Sequence, residues 1–184
     1  MNGKRLTESE LLRLLSNPNT KTRGFTYLFD LYKQRLYHHI HSITHNHQYT
    51  DDVLQNTFIK VYHHVDRFEG KSSLYTWLYR IASNEALSFL KKEAKHRQIS
   101  IDELRLSALN KHQTTDDLDI PKIEKKLSKA LAQLPHRQAM VFSMHHDQHL
   151  KLKEIAVILE TSLGNVKSLH HLAQKKIKTI LKQD

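Results

Sequence analysis

Apolar residues recur at helical spacing over residues 51–65. The stripe consists of Leu54, Phe58, Val61 and Val65, at intervals of four, three and four. This spacing places the four side chains on one side of an amphipathic helix. Thr50, Asp51 and Asp52 offer an N-cap and the negative charge that the first turn of a helix favours. The pattern predicts a helix that begins at these residues and exposes Asp51, Asp52, Gln55, Asn56 and Lys60.

A second helix is predicted after a polar break at 69–71. Ser72 or Ser73 is suited to cap it, and its apolar positions are Leu74, Leu78, Ile81 and Ala82. We expect it to run towards Lys91 and Lys92. Trp77 lies on or beside the apolar stripe, which favours a place in the core over a contact with a ligand.

The last third of the chain has the pattern of a bundle of short helices. Pro135 stands at a predicted helix start. The next apolar face consists of Leu152, Ile155, Ala156 and Leu159, and after a polar break at 160–162 the inward positions are Leu163, Val166, His170, Ala173 and Ile177. Two short amphipathic helices joined by a short break, the second one basic, are typical of a helix-turn-helix.

Composition favours an all-α chain. The 184 residues include 4 Gly and 3 Pro, too few turn-forming residues for a many-stranded sandwich or barrel. The sequence has no Cys, which excludes disulfides, thiolate metal ligands and cysteine nucleophiles. The N-terminus lacks the apolar run of a secretory signal, and no stretch approaches the roughly 20 apolar residues of a membrane helix. We therefore expect a cytoplasmic protein without direct membrane insertion.

Charge divides the chain into three parts. Residues 1–97 carry a net charge of +6, residues 98–121 carry −3 and residues 122–184 carry +7, within a total of +10. We expect two small helical domains, 1–97 and 122–184, joined by a flexible acidic linker that is extended or partly helical. Basic modules indicate nucleic acid as the partner, with an anionic membrane surface as the rival.

Several segments resemble bacterial sigma-70 sigma factors, in particular their extracytoplasmic-function (ECF) group. Residues 51–62 (DDVLQNTFIKVY), 66–70 (DRFEG) and 76–84 (TWLYRIASN) resemble region 2 of that family. Leu134-Pro135, 154–156 (EIA) and 162–168 (SLGNVKS), with His171 and Ala173, resemble its region 4. The resemblance implies a non-catalytic protein that directs core RNA polymerase to specific promoters and helps to melt DNA. It also implies that the protein needs no cofactor and is controlled by an anti-sigma factor.

The resemblance assigns residues to each contact. A coiled coil of the largest catalytic subunit of core polymerase would bind Asp51, Asp52, Leu54, Gln55 and Phe58. The melted minus-10 element would be held by the loop 68–73 and the helix beside it, through Phe68, Lys71, Ser72, Tyr75, Arg80 and Asn84, with Lys91 and Lys92 near phosphates. The duplex minus-35 element would be contacted by Asn165, Lys167, Ser168, His171 and Lys175.

The second helix of the helix-turn-helix departs from the family pattern. Leu169, Leu172 and Gln174 stand where relatives often carry Arg, and His170 replaces an aliphatic core residue. Loss of bidentate Arg–guanine contacts, worth roughly 1 to 3 kcal/mol each, predicts weak minus-35 binding or an unusual element. The leucines would instead contact thymine methyl groups or pack on a partner.

The linker and the histidines each admit two interpretations. The linker carboxylates Asp102, Glu103, Asp116, Asp117 and Asp119 suit either a nucleic-acid mimic inside the polymerase cleft or a spacer. Among fifteen His, the pairs His41/His45 and His145/His149 have a spacing of four, which suits zinc on a helix face. Without Cys or a third ligand indicated by the sequence, structural or surface histidines are favoured over a metal site. A pH-sensing role stays open.

Two rival functions remain at this stage. A stand-alone helix-turn-helix regulator explains the C-terminal half but leaves the motifs over 51–84 without a purpose. A degenerate sigma relative that titrates core polymerase or an anti-sigma factor is compatible with the missing arginines. Enzyme chemistry is not indicated, because adjacent carboxylates such as Asp51 and Asp52 point apart on a helix and no glycine-rich phosphate loop is present.

Overall fold

The computed structural model describes residues 6–113, 127, 130–131 and 133–183. Within these residues the chain forms helices and no strand, which confirms the all-α prediction. The α-helices are α1 (Glu8–Ser16), α2 (Lys21–Thr44), α3 (His47–His64), α4 (Leu74–Arg97), α5 (Ile101–Gln113), α6 (His136–His146), α7 (Leu152–Ile158) and α8 (Leu163–Gln183). A short 3-10 helix, Val65–Arg67, follows α3.

Helices α1–α4 form an N-terminal bundle around large aliphatic side chains. Leu28, Leu36, Ile40, Leu74 and Leu78 have no exposed surface. Gly24 permits the close approach of α1 to α2, because a Cβ atom at this position would lie 2.9 Å from the Cβ of Leu14. The bundle thus has a complete hydrophobic core of its own.

Helix α3 begins four residues before its predicted start. The Asn46 side chain caps it by accepting a hydrogen bond from the backbone N–H of Tyr49 at 3.0 Å. The predicted cap at Thr50–Asp52 is wrong, because Thr50 is buried in the first turns and its hydroxyl donates to the Asn46 carbonyl at 2.7 Å. His47 and Gln48 are polar and exposed, so the first turn carries no apolar periodicity that would mark it.

Helix α4 follows its predicted cap. The Ser73 hydroxyl accepts from the backbone N–H of Thr76 at 3.2 Å, and Gly70 adopts a φ of +70° in the loop before it. The helix extends to Arg97, several residues beyond the predicted end, and stops at Gln98 in the left-handed region with a φ of 55°. Trp77 packs against the core, as predicted.

Helix α5 lies within the segment predicted as an acidic linker. Ser100 and Glu103 cap it reciprocally, with each backbone N–H donating to the other side chain. Leu104 is buried, and Arg105 is 3% exposed with its guanidinium 2.8 Å from the Nε2 atom of His45. Burial lowers the pKa of Arg105 to about 10, so the group stays charged at neutral pH. Asp116, Asp117 and Asp119 lie outside the described residues.

The C-terminal helices form the predicted helix-turn-helix. Pro135 occupies the N-cap of α6, and α7 and α8 are joined by residues 159–162. Val166, Ala173 and Ile177 are buried as predicted, while Leu163 and His170 are half-buried. A small cluster holds these helices together and consists of Ala130, Leu134, Ala139, Ala173 and Ile177.

The C-terminal unit docks on the N-terminal bundle. Helix α6 contacts α2 and α5, and α7 contacts α4. Met140, Met144, Ile155 and Ile158 belong to the same continuous apolar cluster as the side chains of the bundle. The two halves therefore share one core in this arrangement.

Candidate functional site

An apolar groove lies on the surface between α2 and α3. Its volume is about 450 Å³. Phe29 and Ile59 on its rim are 37% and 49% exposed, which is unusual for side chains of this size. The lining residues are Phe25, Phe29, Leu54, Phe58, Ile59 and Tyr62, with Asp51, Gln55 and His63 at the edge.

Four of the five residues assigned to polymerase binding line this groove, and the fifth, Asp52, is exposed next to Asp51. Asp51, Asp52 and Gln55 are exposed and Leu54 is half-buried. Phe58 is only 5% exposed and lies at the base of the groove, with its ring centroid 4.7 Å from that of Phe29. The sequence reasoning missed Phe25, Phe29 and Ile59. Phe25 and Phe29 lie on α2, and their proximity to α3 depends on tertiary packing. Ile59 lies on α3 but outside its apolar stripe.

The loop 68–73 presents one aromatic side chain and one exposed, ion-paired cation. Phe68 packs edge-to-face on Trp77, with ring centroids 5.5 Å apart. Lys71 is exposed and pairs with Glu69 in the same loop, and Ser72 is half-buried. The loop thus places Phe68 against the exposed side of α4.

The residues assigned to the minus-10 element do not share one face of α4. Trp77, Arg80 and Asn84 lie at i, i+3 and i+7 and face the same side. Asn84 is exposed, and Arg80 Nε lies 3.9 Å from a carboxylate oxygen of Glu160 in the C-terminal unit. Tyr75 points towards α2 instead, with its ring centroid 4.2 Å from that of Tyr79, and burial raises its pKa.

Helix α8 presents a row of exposed polar side chains. Lys167, Ser168, His171 and Lys175 follow one another at intervals that keep them on one face, and all four are exposed. Asn165 is exposed on another face, where its side-chain amide donates to the Thr161 hydroxyl at 2.9 Å. Four of the five assigned residues therefore form one surface, opposite the buried Val166 and Ala173.

The leucines of α8 have different surroundings. Leu169 is half-buried and borders a small cavity together with Leu87 of α4, Met140 and Leu159. Leu172 is 48% exposed. Leu169 thus lies against the N-terminal bundle of the same chain, whereas the sequence led us to expect contact with DNA or with another protein.

A buried histidine joins the two halves. His39 of α2 is fully buried; its Nδ1 lies 2.9 Å from the side-chain oxygen of Gln148 and its Nε2 lies 2.8 Å from the Ser83 hydroxyl. Because an amide oxygen only accepts, Nδ1 carries the proton and Ser83 donates to Nε2. Burial lowers the pKa of His39 to about 4, so the ring is neutral at physiological pH. Sequence reasoning missed this contact, whose residues are 109 positions apart.

The two histidine pairs with a spacing of four do not lie within one helix, so the zinc alternative on a helix face does not apply to them. Helix α6 ends at His146, and His149 follows in the left-handed region with a φ of 56°. His45 likewise lies beyond the end of α2, with a φ of 50°. A different set comes together instead: one ring nitrogen each of His145, His146 and His170 lie within 4.8 Å of one another.

Comparisons with known proteins identify the family. The Sigma-70 region 2 profile matches residues 28–96, and the Sigma-70 region 4 profile matches residues 124–177. The ECF RNA polymerase sigma-E factor of Haemophilus influenzae is 31% identical over 135 residues, which cover 68% of this chain and 71% of the relative. The chain belongs to the ECF sigma factors of the sigma-70 family. It acts with RNA polymerase in promoter-specific initiation of transcription.

Other relatives cover more of this sigma factor. SigW of Bacillus subtilis is 26% identical over 167 residues, or 86% of this chain and 89% of the relative. Two solved structures have the same fold, each with a TM-score of 0.66. They are the sigma factor RpoE of Bartonella quintana in complex with the anti-sigma factor NepR (21% identity, 88% of this chain and 99% of that one) and CnrH in complex with the cytosolic domain of CnrY (20% identity, 95% and 96%).

No helix within the described ranges of this sigma factor is both long enough and apolar enough to cross a bilayer.

Proposed function

We propose that this sigma factor divides its work among three surfaces: the α2/α3 groove for core polymerase, the Trp77–Asn84 side of α4 for the minus-10 element, and the Lys167–Lys175 face of α8 for the minus-35 element. The protein carries out no reaction of its own, and it works in the cytoplasm. The groove supports this proposal most directly, since Phe29 and Ile59 are exposed within one contiguous apolar surface, and such surfaces mark sites where a partner binds.

The chemistry of the groove indicates its partner. An apolar groove flanked by an acidic and an amide side chain, Asp51 and Gln55, suits an amphipathic helix that carries basic residues at its margin. The chain as a whole has a net charge of +10, but the acidic residue at the edge of the groove is Asp51. This local negative charge favours a basic protein over nucleic acid as the partner of the groove. The partner we propose is a coiled coil of the largest polymerase subunit.

The α4 surface suits unpaired bases. Phe68 supplies aromatic surface and is supported from behind by Trp77, and stacking on such a ring is worth about 1 to 3 kcal/mol per base. The exposed amide of Asn84 is placed to hydrogen-bond a base edge, and Arg80 and Lys71 to contact phosphates. Tyr75 belongs to the core of the α2/α4 contact, so we assign it a supporting role.

The α8 surface suits duplex DNA. An exposed row of Lys167, Ser168, His171 and Lys175 enters a major groove without moving the buried residues of the helix. It contains no Arg, so phosphate contacts supply most of its affinity, and binding should weaken steeply with salt.

The docked arrangement keeps the two DNA surfaces together. Elements centred 35 and 10 base pairs upstream of a start site are separated by roughly 85 Å of duplex at 3.4 Å per base pair. Leu87 of α4 and Leu169 of α8 line the same cavity of about 40 Å³, so both elements cannot be bound until the halves separate. The two similar solved structures are complexes with anti-sigma factors, and we propose that such a factor holds this protein in the docked form.

Reconstitution with sigma-free core polymerase tests the polymerase surface. Ile59→Glu should weaken core binding by at least about tenfold, because a carboxylate then meets the apolar face of the partner. Val157→Glu is the matched control, since Val157 is 48% exposed but lies on α7. Equal core binding by Ile59→Glu and Val157→Glu would overturn the assignment of the groove.

Transcription from a library of promoter fragments tests the DNA surfaces. We expect Asn84→Ala to reduce open-complex formation and Lys167→Ala to reduce discrimination between cognate and scrambled minus-35 duplexes. Core binding without specific starts would indicate a degenerate sigma relative that titrates polymerase. Duplex binding without core binding would indicate a stand-alone regulator.

A further inference from the structure

Three imidazoles converge between the end of α6 and the middle of α8. His145 and His146 are the last residues of α6, and His170 lies on α8 at a position predicted to face inward. The Nε2 atoms of His146 and His170 are 3.1 Å apart, and one nitrogen from each of the three rings lies within 4.8 Å of the others. No part of the polymerase or promoter surfaces uses this cluster.

The spacing suits a transition-metal ion. Zinc–nitrogen bonds of 2.0 to 2.1 Å in a tetrahedral site place neighbouring ligand nitrogens about 3.3 Å apart. The pair of His146 and His170 already has nearly this separation. His146 is exposed at a helix end, and His145 and His170 are only half-buried, so small side-chain rotations suffice to bring the third nitrogen in.

A hydrogen bond to the backbone orients His145 as a ligand. Its Nδ1 lies 2.8 Å from the Leu150 carbonyl oxygen, which can only accept. The proton is therefore held on Nδ1, and Nε2 keeps the lone pair that a metal requires. Histidine ligands of metal sites are commonly oriented by such a bond to a backbone carbonyl.

The cluster has a partly apolar environment. The Phe142 ring packs on His146 at a centroid distance of 4.1 Å and forms an apolar wall beside the cluster. Burial, and then the neighbouring histidines, lower the pKa values of His146 and His170.

We propose that His145, His146 and His170 form a three-histidine site for Zn²⁺ or a similar divalent transition-metal ion, which ties α6 to the DNA-facing helix α8. Imidazole is a preferred ligand of Zn²⁺, Ni²⁺ and Cu²⁺ rather than of Mg²⁺ or Ca²⁺. Three protein ligands leave one coordination position for water. The bound ion links the two helices through coordination bonds and stabilises the helix-turn-helix.

The test uses the full-length, tag-free chain after removal of metal by a chelator. We expect Co²⁺ to give the visible absorption of a four-coordinate complex, one equivalent of Zn²⁺ to displace it, and Zn²⁺ to raise the melting temperature. His170→Leu and His146→Gln should each weaken Zn²⁺ binding by roughly 100-fold or more and abolish the increase in melting temperature. Because His146 is exposed, His146→Gln decides the matter if His170→Leu fails to fold.

Two control variants separate this site from the other histidines. His171→Gln changes an exposed neighbour of His170, and the double variant His41→Gln/His47→Gln removes the histidine pair near Tyr37, whose ring centroids are 4.6 Å apart. Both should bind one equivalent of Zn²⁺ as tightly as the unchanged chain. Undiminished binding by His146→Gln, or loss of binding in the double variant, would overturn the proposal, as would a six-coordinate Co²⁺ spectrum.

Discussion

The N-terminal bundle and the C-terminal helix-turn-helix are stabilised in different ways. Helices α1–α4 enclose large aliphatic side chains among themselves, such as Leu36 and Leu78. The separate cluster of the C-terminal unit includes three alanines among its five buried members. Larger side chains of that unit, Met144 and Ile155 among them, belong to the cluster of the bundle.

This difference shows which half depends on the other. Apolar burial contributes about 25 cal/mol per Å², so a unit that buries its large side chains against a neighbour loses stability when the neighbour leaves. The bundle loses less, since its helices α1–α4 keep the contacts that they make with one another. Separation of the halves, which we propose for binding to both promoter elements, therefore has its main cost in the C-terminal unit.

A reducible crosslink between the two halves should have the largest effect, and the quantity affected is specific initiation. His38 and His149 are exposed and line one cleft between α2 and the segment after α6, and the chain has no native Cys. A short reducible crosslink in His38→Cys/His149→Cys should abolish specific initiation while core binding persists, because the halves can no longer separate. Reduction should restore transcripts. Full activity of the crosslinked protein would show that docking and promoter binding are compatible.

Acidification should loosen the contact between the halves. The pKa of His39 is about 4 in the docked state, below the ordinary value near 6.5 that it regains in water. The lowered pKa contributes stability that is complete above pH 6.5 and is lost progressively as the pH falls towards 4. At pH 5 the expected loss is at most about 2 kcal/mol, because Ser83 and Tyr79 of the same bundle also contact the ring.

Energy transfer between dyes on cysteines at exposed Gln34 and Lys178 measures this change. His39→Asn should flatten the dependence of docking on pH between 6.5 and 4, and the neighbouring exposed His38→Asn should leave it unchanged. An equal pH dependence in both variants would assign the effect to the positive charge of the two halves instead of to His39.

Sequence reasoning succeeded where the signal is local. Ser73 could be predicted as the cap of α4 because its hydroxyl and the backbone N–H that it accepts from are only three residues apart. The inward positions of Val166, Ala173 and Ile177 follow from helical periodicity alone. The start of α3 was missed because its first turn is polar on the exposed side. Residues that meet only after folding were also missed: Phe29 with Phe58, His39 with Gln148, and His145 with His170.

The smallest expected effect concerns the ion pair across the two halves. Arg80 and Glu160 are 3.9 Å apart, and their side chains are 40% and 62% exposed. Water screens such a pair, so Glu160→Gln should weaken docking by less than about 1 kcal/mol in the same dye measurement. Glu69→Gln, which removes an ion pair within the N-terminal half, is the control and should have no effect on docking. A larger loss in Glu160→Gln would mean that this ion pair, and not the shared core, holds the halves together.

Leu169 has a consequence for the evolution of promoter specificity. Its side chain lies beside Leu87, Met140 and Leu159 when the halves are docked. An arginine at this position would lose hydration each time the two halves docked. The docked state therefore disfavours a charged residue at position 169, so promoter recognition can change more readily on the exposed face of α8 than at this position.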